Sequence, residues 1–459
     1  MTDCDYLIVG GGAMGMAFAD VLLAETGATV RIVDRRVRPG GHWNDAYPFV
    51  RLHQPSRFYG VPSRPLGSGA RDATGWNRGL FELASGAEVL AYFDALLHQQ
   101  FLPTGRFEFS AMTEHVGDGR LRSLVSGEEC TVNARKIVDA TWMNVNVPAT
   151  RPPAYAVDEG ARVVPPNRLY ALEGPPAGFV VIGAGKTAMD AVLWLLGQGL
   201  DPDRIRLVMP RDSWMLDRAQ VQPGADFFAA SLGRVVDNLD AVLAADSVPD
   251  LFARLDARGT LLRFDPAVEP TMYRCATVSR AELEQLRRVK NVVRMGRVKR
   301  VGRDRIELDG GFLPTSPDTL HVDCTADGLE RRPTRPVFEG ERITLQSVRT
   351  CQQVFSAAML GHLEASGRRD DEKNALAVPV PHPDSHHDWL RNELADLRSG
   401  ERWGSDAELM QWLSGCRLDL NAAFAEGVDP LVLMEGFGRV MSRVPAAIDK
   451  LERLLATCE

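Results

Sequence analysis

Apolar residues fall along the chain in two rhythms. An unbroken apolar run at 6–9 has the character of a strand buried in a parallel sheet, and residues 16–24 then carry apolar side chains at helical spacing. A second strand is predicted at 29–33, a helix at 86–102, short strands near 107–109, 121–125 and 129–132, and another buried strand at 135–141. A proline-rich stretch at 147–176 reads as a connection between domains. Beyond it the opening rhythm returns as a strand at 179–182, a helix through 196 and a strand at 204–209. Helical patterns follow at 225–258, interrupted by Pro249, and at 279–289, where Ser279 and Glu282 have capping-box spacing. A hairpin is predicted at 297–308 and a last buried strand from 319, ending in a turn at 328. The remainder is mainly helical, at 347–363, 387–397, 406–413 and 445–456. Strand and helix alternating in two separate blocks predict an α/β fold with two Rossmann-type domains and a helical C-terminal region.

Both blocks carry a glycine turn between their first strand and first helix. In the first, Gly10, Gly12 and Gly15 form G-x-G-x-x-G, which provides the tight turn, close backbone approach to a pyrophosphate and close helix packing. Ala13 and Met14 open the helix whose N-terminus would face the phosphates, and the second strand leads to Asp34, placed for a ribose diol, and Arg35. In the second block Gly183 and Gly185 are followed by Lys186, Thr187 and Ala188, a small third residue serving where helix meets strand. Its second strand leads to Arg211, Asp212 and Trp214; an arginine there suits a 2′-phosphate, so NADP is expected over NAD.

Length and composition narrow the class. A chain of 459 residues calls for two or three domains, and a net charge of −8 argues against an electrostatic nucleic-acid binder. The start of the chain runs directly into a strand and no apolar segment is long enough for a bilayer, so no membrane and a cytoplasmic location are expected. Seven scattered cysteines, never at metal or redox spacing, predict neither disulfides nor a dithiol centre, and Cys324 reads as a small core residue. His382, His386 and His387 beside Asp384 and Asp388 lie among prolines, and no metal site is expected. Residues 35–60 break all periodicity yet concentrate Trp, Tyr, His and Arg, as a ligand-covering loop would.

Two dinucleotide units, a Gly40-Gly41-His42-Trp43 loop after the first, and strands ending in Ala140-Thr141 and Thr325-Ala326-Asp327-Gly328 carry a resemblance. The sequence resembles the two-dinucleotide-domain flavoproteins, and within them the flavin-containing, Baeyer–Villiger and N-hydroxylating monooxygenases. The resemblance implies FAD on the N-terminal unit, with Gly10, Gly12, Gly15, Asp34, Gly41, His42 and Trp43 around it and Asp327 and Gly328 on a returning strand. It implies NADPH on the inserted unit, held by Gly183, Gly185, Lys186, Thr187, Arg211 and Trp214. It also places His53, Gln54 and Ser56 against the reactive face of the flavin, as catalytic candidates. The domains implied are 1–172 for FAD, 173–318 for NADP, 319–365 returning to the FAD domain, and 366–459 helical. The activity implied is oxygenation of a small organic substrate by molecular oxygen through a C4a-(hydro)peroxyflavin. A flavin dehydrogenase or reductase and a nucleotide-binding redox sensor are the alternatives, and a homodimer is left open.

Overall fold

The computed structural model describes residues 3–326 and 328–456. In chain order, β1 (Cys4–Val9), α1 (Ala13–Glu25), β2 (Val30–Val33), α2 (Gly86–Leu96), β3 (Phe107–Ser110) and β4 (Ala134–Asp139) build the first unit. The second begins with β5 (Val163–Val164), β6 (Gly178–Ile182), α3 (Lys186–Gly197), β7 (Ile205–Val208) and β8 (Ser213–Asp217). It continues through α4 (Ala225–Ala244), α5 (Val248–Ala257), β9 (Met272–Val278), α6 (Arg280–Leu286), β10 (Val292–Val293) and β11 (Thr319–Asp323). The chain then returns through β12 (Phe338–Glu339), β13 (Arg342–Thr344) and α7 (Gln353–Ala365). Six more helices follow: α8 (Asp370–Leu376), α9 (His386–Gly404), α10 (Ala407–Gly415), α11 (Leu420–Ala425), α12 (Pro430–Met441) and α13 (Val444–Ala456).

The first sheet has the order β12-β13-β4-β1-β2-β3, parallel except for the β12–β13 pair. The second has the order β5-β11-β6-β7-β10 and is parallel throughout. Their central strands are buried on both faces, which is why β1 and β6 read as continuous apolar runs. Helix α7 lies against α1 and closes one face of the first sheet. Among the described residues no helix is long and apolar enough to cross a membrane.

Three expectations are corrected by the fold. Thr319–Asp323 pairs with Gly178–Ile182 and so completes the second sheet, whereas the boundary placed at 319 assigned it to the returning segment. A doubly buried parallel strand looks the same in either sheet, and only its partner tells them apart. Gly328 opens a two-residue strand paired with Val145–Asn146 in the crossover between the sheets; Asp327 lies outside the described residues. Cys275 and Cys351 form a disulfide, although none was expected, their Cα atoms 6.7 Å apart across 76 positions. Both sit at positive φ, at 56° and 57°, a backbone state no cysteine spacing reveals. Pro249 also differs in effect: it lies in the first turn of α5 behind the Ser247 cap, where it starts a helix.

Candidate active site

At the first glycine turn, α1 begins behind Gly12 with no side-chain cap and no acidic residue in its first turn, which suits its N-terminal N–H groups to an anion. Gly15 is obligatory: a Cβ there would stand 2.1 Å from the Gly10 carbonyl oxygen. Asp34 is buried and its carboxylate accepts from Gly11 N at 2.6 Å and Arg36 N at 2.8 Å, fixing the strand end to the turn. Arg35 points away, largely exposed, to Glu114. The Gly-Gly loop lies directly over the turn, with Gly40 N donating to Gly11 O at 2.8 Å. A Cβ on Gly41 would come within 2.9 Å of Gly12 Cα. These are cradle positions that a side chain would fill, and they fit a dinucleotide pyrophosphate.

The aromatic loop divides its work. Trp43 is buried and donates its indole N–H to the Tyr59 hydroxyl at 2.6 Å, with His42 stacked on its ring at 5.3 Å. Burial, reinforced by the Arg36 charge, pushes His42 down to about 4 and keeps it neutral. Tyr47 and Phe49 leave the first unit altogether: Tyr47 donates to Asp190 Oδ2 at 2.7 Å, and Phe49 stacks on Trp194 at 5.0 Å, both on α3.

The second glycine turn repeats the first. Helix α3 starts behind Gly185, again without a side-chain cap, and a Cβ on Gly185 would meet nothing within 4 Å. Lys186 forms an ion pair with Asp190, and the Thr187 hydroxyl reaches Tyr47, so both are anchored to the aromatic loop. Asp212 is buried and taken up by a two-pronged contact from Arg294, at 2.7 and 2.9 Å. That neutralisation removes the acid that would disfavour a 2′-phosphate beside Arg211. Arg211 itself donates to Asp384 Oδ2 at 2.9 Å and to Thr271 O at 2.9 Å.

Several candidates are placed otherwise than the sequence suggests. Trp214 is wholly buried, donates to His386 Nε2 at 2.8 Å and packs beside Phe252, so it is core and closed to a nucleotide. The Ser56 hydroxyl donates to Glu82 O at 2.9 Å and accepts from Ala84 N at 2.8 Å, which commits it to holding its own loop. Burial and the charges of Lys186 and Arg218 drive His53 well below its ordinary value, so it does not titrate near neutral pH. Gln54 alone of the three catalytic candidates keeps a weak contact, accepting from Gln352 Nε2 at 3.4 Å ahead of α7.

Other residues escaped the sequence reading. Arg218 is fully buried and donates to His53 O at 2.8 Å and Asn77 Oδ1 at 3.0 Å while pairing with Glu282 at 2.7 Å. It thereby fastens the loop of the first unit to α6 of the second. Arg211, Arg274 and Arg331 converge on Asp384; against burial, which would raise it, the guanidinium groups of Arg211 and Arg274 hold that carboxyl at about 2. A cavity of about 290 Å³ opens beside Asp384, lined by Trp142, Met143, Gln346, Ser347 and Pro379–His382. It lies off the carboxyl ends of β4 and β13, the edge at which open parallel sheets bind ligands. On α9, burial and the Asp396 charge raise Glu393 to about 7, and burial raises Asp396 to about 6.

The comparisons agree with this architecture. A model of the NAD(P)-binding Rossmann-like domain matches residues 8–57, which include the first glycine turn, Asp34 and the aromatic loop. An NADP-bound steroid monooxygenase shares the fold at 15% identity and a TM-score of 0.52, covering 98% of each chain. An open cyclohexanone monooxygenase does so at 14% identity and a TM-score of 0.50, over 95% of this chain and 99% of its own. The chain therefore shares the fold of these two monooxygenases. Uncharacterized protein Rv2000 of Mycobacterium tuberculosis (strain ATCC 25618 / H37Rv) is 50% identical over 458 residues, 99% of this chain and 84% of that one. Uncharacterized protein Mb2023 of Mycobacterium bovis matches to the same extent, and the chain belongs to the family these mycobacterial proteins form.

Proposed function

We propose that the protein is an FAD- and NADPH-dependent oxidoreductase, a single-component monooxygenase acting on a small organic substrate. The observation that carries this reading is the pairing of two uncapped helix N-termini behind glycine turns, joined by Tyr47 and Asp190. Gly10, Gly12, Gly15 and Gly41 would hold the FAD pyrophosphate and Asp34 its ribose; Gly183, Gly185, Lys186 and Thr187 would hold NADPH, with Arg211 at the 2′-phosphate. When bound, FAD supplies hydride acceptance from NADPH and reaction with oxygen. The chain contributes placement and dryness. Tyr47 and Phe49 seal the seam between the units, His42 and Trp43 cover the first turn, and Gln54 offers the loop's amide donor.

A second reading, a flavin dehydrogenase, draws support from the committed Ser56 hydroxyl and the neutral His53, which leave the loop few donors for oxygen chemistry. The deciding experiment reduces the purified yellow protein anaerobically with NADPH and then admits oxygen while its spectrum is followed. A species distinct from oxidised and reduced flavin, with product formed per NADPH consumed, is the outcome expected of a monooxygenase. Stoichiometric hydrogen peroxide in its place would move the dehydrogenase ahead, and a colourless protein that NADPH leaves unchanged would remove both.

A further inference from the structure

Helix α12 is the least covered element of the C-terminal region. Its buried contact is made at Gly436, where a Cβ would come 2.8 Å from Leu232 and 3.2 Å from Phe228 on α4. With about 100° per residue, Leu431, Met434, Gly438 and Met441 fall within about 40° of the direction opposite that contact. Leu431 is 75% exposed, Met434 71%, Met441 56% and Phe437, on one flank, 54%. The other flank carries Glu435 and Arg439, for which no ion pair occurs among the described residues. Scattered single apolar residues on a surface need no explanation, but a stripe of this length on one helix does.

The pattern is complementary to itself. In an antiparallel pair related by a two-fold axis, each flank faces the same flank of the other helix. Centring the axis on the stripe sets Met434 over Gly438 of the second copy and Leu431 beside its Met441. Gly438 is open, a Cβ there meeting nothing within 4 Å, so it offers a hole for the methionine and lets the helices approach closely. On the charged flank each Glu435 lies within two residues, about 3 Å along the axis, of the level of Arg439 of the other copy, within reach of two reciprocal ion pairs. A membrane surface would use the apolar stripe but has no use for a paired acid and base at its edge.

We propose that α12 is a self-association surface, through which two copies of this chain pair by antiparallel contact of Leu431, Met434, Gly438 and Met441, with Glu435 and Arg439 setting the register. One helix face buries roughly half of the ~800 Å² per partner of a stable complex, so a weak, reversible dimer is expected.

Sedimentation velocity of the 459-residue chain across the micromolar range tests it. The expected result is a reversible monomer–dimer equilibrium that Met434→Glu abolishes without lowering Tm, because that side chain is largely exposed in the monomer. Glu435→Arg and Arg439→Glu should each weaken the dimer at least fivefold by setting like charges opposite one another, and the double exchange should restore it. A monomer at every concentration would overturn the proposal. So would a dimer untouched by Met434→Glu, a double exchange no better than either single one, or a stripe that binds lipid vesicles while the chain stays monomeric.

Discussion

At the first glycine turn the neighbouring charges are few: Asp34 is anchored by the Gly11 backbone N–H of the turn itself, and a second glycine pair lies over it. At the second turn the same backbone is ringed by Lys186, Asp190, Arg211, Asp212, Arg294 and Asp384, each holding another. The local design is shared because strand, tight turn and helix N-terminus impose the same steric demands on any pyrophosphate. On the proposed reading, selectivity between coenzymes would come from the surroundings, which the C-terminal region helps to build through Asp384. The first turn depends on close packing, the second on a charge network.

The largest expected effect separates the turns by steric demand. Gly15→Val drives a side chain into the Gly10 carbonyl and should leave the protein without flavin and strongly destabilised. Gly185→Ala, facing open space, should cost only the roughly 0.5–1 kcal/mol of stability that separates glycine from alanine at an N-cap. Flavin absorbance and thermal melts read both; equal damage from the two would end the contrast. Next in size is the fastening between the units. Arg218→Met leaves Glu282 buried beside an apolar chain, which costs roughly 3–5 kcal/mol in urea unfolding.

A smaller effect sharpens the difference in charge. Arg211→Ala should raise the apparent Kd for NADPH about tenfold, at the low end for a charged phosphate contact, because that guanidinium is already shared with Asp384. NADH should be almost unaffected, and an equal loss for both coenzymes would remove Arg211 from the 2′-phosphate. The smallest effect is one of pH. Glu393 is raised from 4.5 to about 7, so the folded protein holds this proton more tightly than the unfolded chain does. Its contribution is complete below about pH 4.5 and is lost as pH rises through 7. Glu393→Gln should therefore flatten the fall in Tm between pH 5 and 8 by a few degrees; an unchanged slope would assign that fall to other groups.

Both Rossmann-type units, their glycine turns and Asp34 were legible because each is a local pattern within about thirty residues, where spacing alone dictates backbone geometry. Trp214 misled because an aromatic after a strand reads the same whether it meets a nucleotide or Phe252 and His386. Ser56 misled because a hydroxyl in an active-site loop does not announce that Glu82 and Ala84 occupy it.

By itself the sequence determined the strand–turn–helix units, the number of dinucleotide folds and the helical character of the C-terminal region, all set by periodicity and by the sterics of glycine. Tertiary structure decided which sheet Thr319–Asp323 completes, that Cys275 meets Cys351, and that Arg218 and Asp384 tie the units together. Arg211 and Asp384 stand 173 positions apart, and Gln54 and Gln352 stand 298 apart. Contacts at such separations follow from how the finished units pack, and the free energy that selects them is shared among many buried surfaces and no single stretch of chain.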